Sequence, residues 1–238
     1  MTIKVATFDL DGTLIKRSSR LRTTLKMDAI NHSISKVFSI NDINYVDYLG
    51  KEMYGMTDRA IVREVLYKLD IDRAVADKKI DYLFEEILKY FYSSPNRKSS
   101  DDYIILPGVI ELLDTLQNRG IELGLATGNY EEFAWWKLKG VDLDRYFTFG
   151  GFGEDNESRS GIIASALKRS NHGKDFNACH FGDTPSDIES ARNNDIMSAA
   201  VSSKGGGTFD TDELRTAGAD LVVDSWTEID KILALFDR

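Results

Sequence analysis

The sequence predicts an α/β fold, a doubly wound, Rossmann-like parallel sheet with an all-helical cap domain inserted after its first strand. Three observations carry this. One short apolar run, residues 3–10, stands alone at the N-terminus. Residues 16–100 then show recurring amphipathic helical spacing with almost no strand-like alternation. From Ile104 onward, short apolar runs alternate with helical spacing. Strands separated by crossover helices imply a parallel sheet with helices on both faces. The expected division is a core of residues 1–15 and 104–238 and a helical cap of residues 16–103.

Taken in order, residues 3–10 read as a buried strand running into the turn Asp11-Gly12-Thr13. In the insertion, helical spacing falls at 33–38, 58–69 and 81–92, with Thr57 placed to cap the second. The polar, turn-rich stretch 93–100 is the return linker. Pro107 and Gly108 open a helix through Leu116 that Gly120 stops. A strand at 121–126 and a helix at 131–139 follow, and Ala134-Trp135-Trp136 of that helix reads as packing surface. A helix at 161–169, a strand at 178–181, a helix at 186–193 and a strand at 198–201 continue the alternation, and 221–223 and 227–236 complete it.

A chain of 238 residues with 42% hydrophobic and 11% aromatic residues supports a packed core, either as one domain or as one with an insertion. The net charge of −9 argues against a nucleic-acid or anionic-membrane binder. The single cysteine, Cys179, excludes a disulfide framework and a cysteine-based zinc site, and its apolar neighbours make it a packing residue. No apolar run approaches the roughly 20 residues of a membrane span. No signal peptide pattern precedes the first strand, so a soluble cytoplasmic protein is expected.

In such sheets ligands bind at the carboxyl ends of strands. Three patches fall there: Asp9-Leu10-Asp11-Gly12-Thr13, Thr127-Gly128-Asn129, and Gly182-Asp183-Thr184-Pro185-Ser186-Asp187. Each has a plainer reading when taken alone. The first could be a loop or a calcium-type turn, the second a strand-to-helix turn, and the third a helix start with Thr184 as N-cap and Pro185 at the first position. Together they bring Asp9, Asp11, Asp183 and Asp187 to one edge. Asp9 and Asp11 would share a face of an extended strand. Two carboxylates about 4 Å apart repel by roughly 4 kcal/mol at an effective dielectric near 20. A hard divalent cation with oxygen ligands relieves this, and magnesium suits a site shared with phosphate. Gly12 lets the backbone turn and approach a ligand.

These motifs, with a cation between the second and third, resemble the haloacid dehalogenase superfamily. The likeness is greatest to phosphoglycolate-phosphatase-like members with a helical cap after the first motif. It covers residues 1–14 and 104–238, and in the cap only position, helical character and Gly55-Met56-Thr57-Asp58. The resemblance implies a phosphatase in which Asp9 is the nucleophile and Asp11 protonates the leaving alcohol and then activates water. It also implies that Thr127 and the Gly128 amide hold phosphate oxygens. Magnesium would be bound by Asp183, the Asp9 carboxylate and the Asp11 carbonyl, with Asp187 supporting the metal shell through water or orienting the cation. Many members carry a lysine in the third motif; here Arg159 is the candidate, since Lys168 and Arg169 lie late in their helix. Dehalogenase members lack an acid at the position of Asp11, so its presence argues for an alcohol leaving group.

The cap opens with Lys16, Arg17, Arg20, Arg22 and Lys26, either a solvated face or a contact for an anionic part of the substrate. Arg17, Arg20 and Thr57 are the candidates for substrate specificity. Gly205-Gly206-Gly207 lacks the Walker lysine and reads as a loop. The expected partner is a small phosphorylated metabolite such as phosphoglycolate, with no nucleic acid and no membrane, and monomer and homodimer both remain open. Two rivals stand beside this reading. One is a phosphosugar mutase, whose cap would supply acid–base groups; His32, amid Ile30, Ile34 and Val37, reads instead as a packing position. The other is a catalytically silent phospho-ligand-binding protein, which would have lost Asp9, Asp11 or Asp183.

Overall fold

The computed structural model describes residues 3–18, 23–94, 102–172 and 177–237. Its centre is a six-stranded sheet in the order β5-β4-β1-β6-β7-β8, in which all neighbours are parallel. The strands are β1 (Ile3–Phe8), β4 (Glu122–Ala126), β5 (Phe149–Gly151), β6 (Asn177–Gly182), β7 (Met197–Val201) and β8 (Leu221–Val223). Successive strand residues point to opposite faces. Ala6 and Phe8 therefore pack with Leu113, Leu116, Trp226 and Phe236 in one apolar cluster. Val5 packs with Ile162, Ile163 and Ala166 in another. From Val5 to Phe8 both faces are buried, which is why β1 shows no strict apolar–polar alternation there.

The helices α5 (Val109–Asn118), α6 (Glu131–Gly140), α7 (Arg159–Arg169), α8 (Pro185–Arg192), α9 (Thr211–Thr216) and α10 (Ile229–Phe236) alternate with these strands. Register aligns the carboxyl ends of the three central strands. Phe8 of β1 lies opposite Leu125 of β4 and Phe181 of β6, and the Asp9 amide donates to the Phe181 carbonyl at 2.9 Å. β1 thus leaves the sheet at Asp9, beside Ala126 and Gly182, the last residues of β4 and β6.

The insertion differs from expectation at its ends. β2 (Ile15–Arg17) and β3 (Tyr103–Ile105) form a two-stranded antiparallel ribbon at the root of the helical block. Three-residue strands carry too little alternation to be seen in sequence. Helix α1 (Leu25–Phe38) starts eight residues before the expected 33–38 segment, because Thr24 caps it by accepting from the Met27 amide. Helix α4 (Arg73–Tyr92) likewise begins earlier, under Asp72. The short α2 (Val46–Leu49), the short α9 and the edge strand β5 were also unforeseen. Helix α3 (Asp58–Lys68) matches the reading, with Thr57 as its cap. The helices of the insertion share one buried cluster that includes Ile30, Val62, Leu66 and Leu83, and Tyr130 and Phe133 from the start of α6 join it. The helical block is thereby seated against the start of α6, after the carboxyl end of β4. No described helix is long and apolar enough to cross a membrane.

Candidate active site

The first strand ends at Phe8, so Asp9 and Asp11 do not share a strand face as an extended chain would have placed them. Asp9 is buried, and its Oδ1 lies 2.7 Å from Arg159 Nη2. Asp11 sits in the following turn, where its neighbour Gly12 bonds back to Ile15 (N···O 2.7 Å). Gly12 adopts φ +83°, and a Cβ there would fall 2.2 Å from Asp183 Oδ2, so this position admits only glycine.

Arg159 is the first residue of α7, where the helix dipole disfavours a cation. Two carboxylates offset this. Besides Asp9, Asp187 Oδ1 accepts from Arg159 Nε at 2.9 Å and from Nη2 at 2.6 Å. Burial works against the charge on Arg159, but Asp187 and Asp9 outweigh it and hold the guanidinium ionised. The other oxygen of Asp187 accepts from the Asp183 and Thr184 amides at 3.2 and 3.1 Å and from Thr184 Oγ1 at 2.7 Å, completing the capping box of α8. Burial would raise this carboxyl, yet Arg159, with help from His180 and Thr184, drives it far below the ordinary carboxylate range.

Asp183 is fully buried and accepts from Thr13 Oγ1 at 3.3 Å and from the Thr208 amide at 2.7 Å. Burial, with Asp187 and Asp9 nearby, pushes its carboxyl well above the usual range. Asp9 is raised as well, by burial that Arg159 only partly offsets. Asp9, Asp183 and Asp187 each offer an oxygen within 4.8 Å of the others, and all three are buried. A carboxylate set with more negative charge than Arg159 neutralises fits a hard divalent cation. The side chain of Asp11 is not in this triad.

Asp11 points elsewhere. Its Oδ2 accepts from Lys137 Nζ at 2.5 Å and from Asn129 Nδ2 at 2.9 Å. Burial would raise its carboxyl, but Lys137 and then Lys26 outweigh that and hold it below the ordinary range. Lys137 is itself buried, lies over the Tyr103 ring, and donates to Asn129 Oδ1 at 2.8 Å. Lys26 of α1 donates to the same Asn129 oxygen at 2.8 Å and pairs with Asp58. Sequence reasoning gave Asp58, Asn129 and Lys137 no role of their own, and Lys26 only a place in the basic group at the start of the insertion. The signal for Lys137 was available: in α6 it shares the buried face with Phe133, Ala134 and Leu138 at helical spacing.

Thr127 is buried at the end of β4, and its Oγ1 accepts from Asn129 Nδ2 at 2.8 Å. Gly128 is where the helical block lands. Its carbonyl accepts from the Asp58 amide at 2.8 Å, and a Cβ there would meet the Met56 carbonyl at 2.7 Å and Arg159 Nη1 at 3.2 Å. Thr127, Gly128 and Arg159 all line the cavity above Asp9, as does Arg17. Thr57 is absent from that lining, because its hydroxyl accepts from the Ala60 amide as the cap of α3. Arg20 and Arg22 lie outside the described residues. His32 is exposed and stacked against Tyr90 at 4.6 Å, away from the cavity, rather than packed inside as its neighbours suggested.

Comparison with known proteins follows this geometry. A family model described as haloacid dehalogenase-like hydrolase matches residues 3–195. A phosphoglycolate phosphatase of Agrobacterium fabrum is 28% identical over 204 residues, covering 83% of this chain and 79% of the relative. A pyrophosphatase PpaX of Listeria monocytogenes is 28% identical over 208 residues, covering 84% and 85%. Among solved structures, a beta-phosphoglucomutase from Clostridium difficile superposes with a TM-score of 0.72 at 19% identity, over 99% of this chain and 97% of that one. At that identity the likeness concerns the fold alone.

Proposed function

The chain belongs to the haloacid dehalogenase-like hydrolases, and on that premise we propose that it hydrolyses small phosphate monoesters through an aspartyl-phosphate on Asp9. One observation carries the reading. The buried Asp9 carboxylate is held 2.7 Å from Arg159, within the triad it forms with Asp183 and Asp187. Asp183, the Asp9 carboxylate and the Asp11 backbone carbonyl are the groups that would hold magnesium, with Asp187 supporting them from behind, and the ion when bound would neutralise charge between Asp9 and a dianionic substrate.

The chain's own groups then divide the work. The Asp9 carboxylate attacks phosphorus while the bond to the leaving oxygen breaks, and Asp11 gives that oxygen its proton. In the second step Asp11 takes a proton from water, which attacks phosphorus, releases phosphate and restores Asp9. Lys137 and Asn129, by favouring ionised Asp11, suit it to this base role. Arg159, Thr127 and the Gly128 amide stabilise charge spread over the equatorial oxygens. Asp187 aims Arg159 through the two hydrogen bonds to its Oδ1. Residues 16–103 act as the cap, seated by the Asp58–Gly128 contact, and exclude bulk water.

His32 stands away from the cavity, so it does not supply the cap acid–base group that the mutase alternative calls for. The relatives' names make phosphoglycolate and pyrophosphate the first substrates to try. The test is phosphate release from p-nitrophenyl phosphate and 2-phosphoglycolate with and without magnesium. Metal-dependent release that Asp9→Asn abolishes is expected. Isomerisation of a sugar phosphate without release would favour the mutase, and inertness of the folded, magnesium-loaded protein would favour the silent binder.

A further inference from the structure

The cavity above Asp9 is larger and more apolar than a two-carbon leaving group requires. Its volume is about 620 Å³, in the range that encloses a drug-sized ligand. Opposite the acid triad, the helical block contributes Met27, Tyr45, Met53, Tyr54, Met56 and Ile61 to the wall. Thioether and aromatic walls of this kind adapt to flat or branched apolar bodies. Tyr54 stands at the rim, 46% exposed, with its ring edge-on to Phe209 of the core.

A second feature borders this wall. The Gly12–Ile15 hydrogen bond folds the chain back beside the nucleophile loop, so β2 delivers Lys16 and Arg17 to the same cavity. Arg17 Nη1 rests 3.5 Å from Met27 Sδ, which puts cation and apolar wall side by side. Lys26, Lys137 and Arg159 each have a carboxylate partner. Lys16 and Arg17 have none among the described residues, although both are exposed and line the cavity. Glycolate would reach a cation but leave the wall wet. A polyhydroxylated sugar would set hydroxyls against Met27, Met53 and Ile61 without hydrogen-bond partners there.

The geometry points to phosphate monoesters of an alcohol that carries an aromatic or branched apolar body and ends in a second anionic group such as a carboxylate. This rests on the phosphatase reading above and narrows its substrate class. The phosphoryl group sits by Asp9 and Arg159, the apolar body lies along the methionine and tyrosine wall, and the distal anion meets Lys16 and Arg17.

The test uses three esters that all release a primary alcohol: 2-phosphoglycolate, benzyl phosphate and 4-carboxybenzyl phosphate, with the magnesium-loaded full chain. 4-Carboxybenzyl phosphate is expected to exceed each of the others in kcat/KM by about tenfold or more. Combining Lys16→Gln with Arg17→Gln should collapse the ratio of 4-carboxybenzyl to benzyl phosphate toward one. Met53→Gln should lower the ratio of benzyl phosphate to phosphoglycolate. The substrate class is overturned if phosphoglycolate is the best of the three, or if the double variant keeps the carboxylate preference. Turnover of p-nitrophenyl phosphate alongside either result would leave the phosphatase reading standing. Inertness toward all four esters would remove both.

Discussion

Lys137 Nζ lies 2.5 Å from Asp11 Oδ2, joining a fully buried ammonium on α6 to the carboxylate proposed as acid and base. Asn129 braces the contact from both sides, donating to Asp11 and accepting from Lys137. The Asp11 side chain is 43% exposed, and Asp11 lines the cavity. Lys137→Met is therefore expected to lower kcat by about 10²-fold, the scale of losing well-placed acid–base chemistry, with a smaller change in KM. The sign of the pH effect follows from the cation. Lys137 holds the Asp11 carboxyl low, so without it the base form is lost earlier as pH falls, and the acidic limb of kcat/KM moves to higher pH. An unmoved limb would assign Lys137 to packing alone.

Asp9→Asn removes the proposed nucleophile while keeping the side-chain volume. A loss of turnover of roughly 10⁴-fold or more is expected, as for other covalent nucleophiles, with a far-ultraviolet spectrum like the parent's. Retention of most activity would take Asp9 out of the nucleophile role.

Arg159 bridges Asp9 and Asp187 in a buried setting. Truncating it leaves two buried carboxylates without their counter-charge, a class of change that costs about 3–5 kcal/mol. Arg159→Met should show this loss in urea unfolding of the metal-free protein. Arg159→Lys should recover part of the stability but less of the activity, because one ammonium cannot replace a fork that meets both acids.

The strand-end motifs were legible for a physical reason. A strand buried on both faces is largely apolar, and where it stops a polar loop begins at the sheet's edge, as at Phe8-Asp9 and Phe181-Gly182-Asp183. Arg159 was legible as a cation ahead of a helix. Lys137 was harder to find because its partner Asp11 lies 126 positions away, a distance only the fold closes. Thr57 was read both as a cap and as a specificity residue, and the Ala60 amide decides for the cap. The β2–β3 ribbon escaped because three residues show no period.

Asp183 supplies the metal prediction. Its carboxyl is raised by burial and by Asp187 and Asp9. A carboxyl raised on folding contributes stability that is full below its unfolded pKa and is lost as pH rises through the folded value. In the metal-free protein, ionising Asp183 therefore works against folding. Asp183→Asn should raise the metal-free Tm by a few degrees, about the effect of 1 kcal/mol, and abolish the further rise that magnesium gives the parent. Excess chelator should stop the parent's turnover, and magnesium should restore it.

Glu86 tests the helical block independently of the site. It is buried on α4 and accepts from Lys36 of α1 and, at 2.7 Å, from Lys89 of its own helix. The hydrogen bonds from Lys36 and Lys89 draw its carboxyl down from 4.5 to about 2. The sign is the reverse of Asp183: a depressed carboxyl contributes stability above its unfolded pKa, and this is lost as pH falls through the folded one. Glu86→Gln should therefore unfold more readily than the parent at neutral pH, and the gap should close between about pH 4.5 and pH 2. Lys36→Met combined with Glu86→Gln should destabilise by less than the sum of the single changes, because the two groups meet directly. Additive effects would show that α1 and α4 are held together by their apolar cluster without this contact.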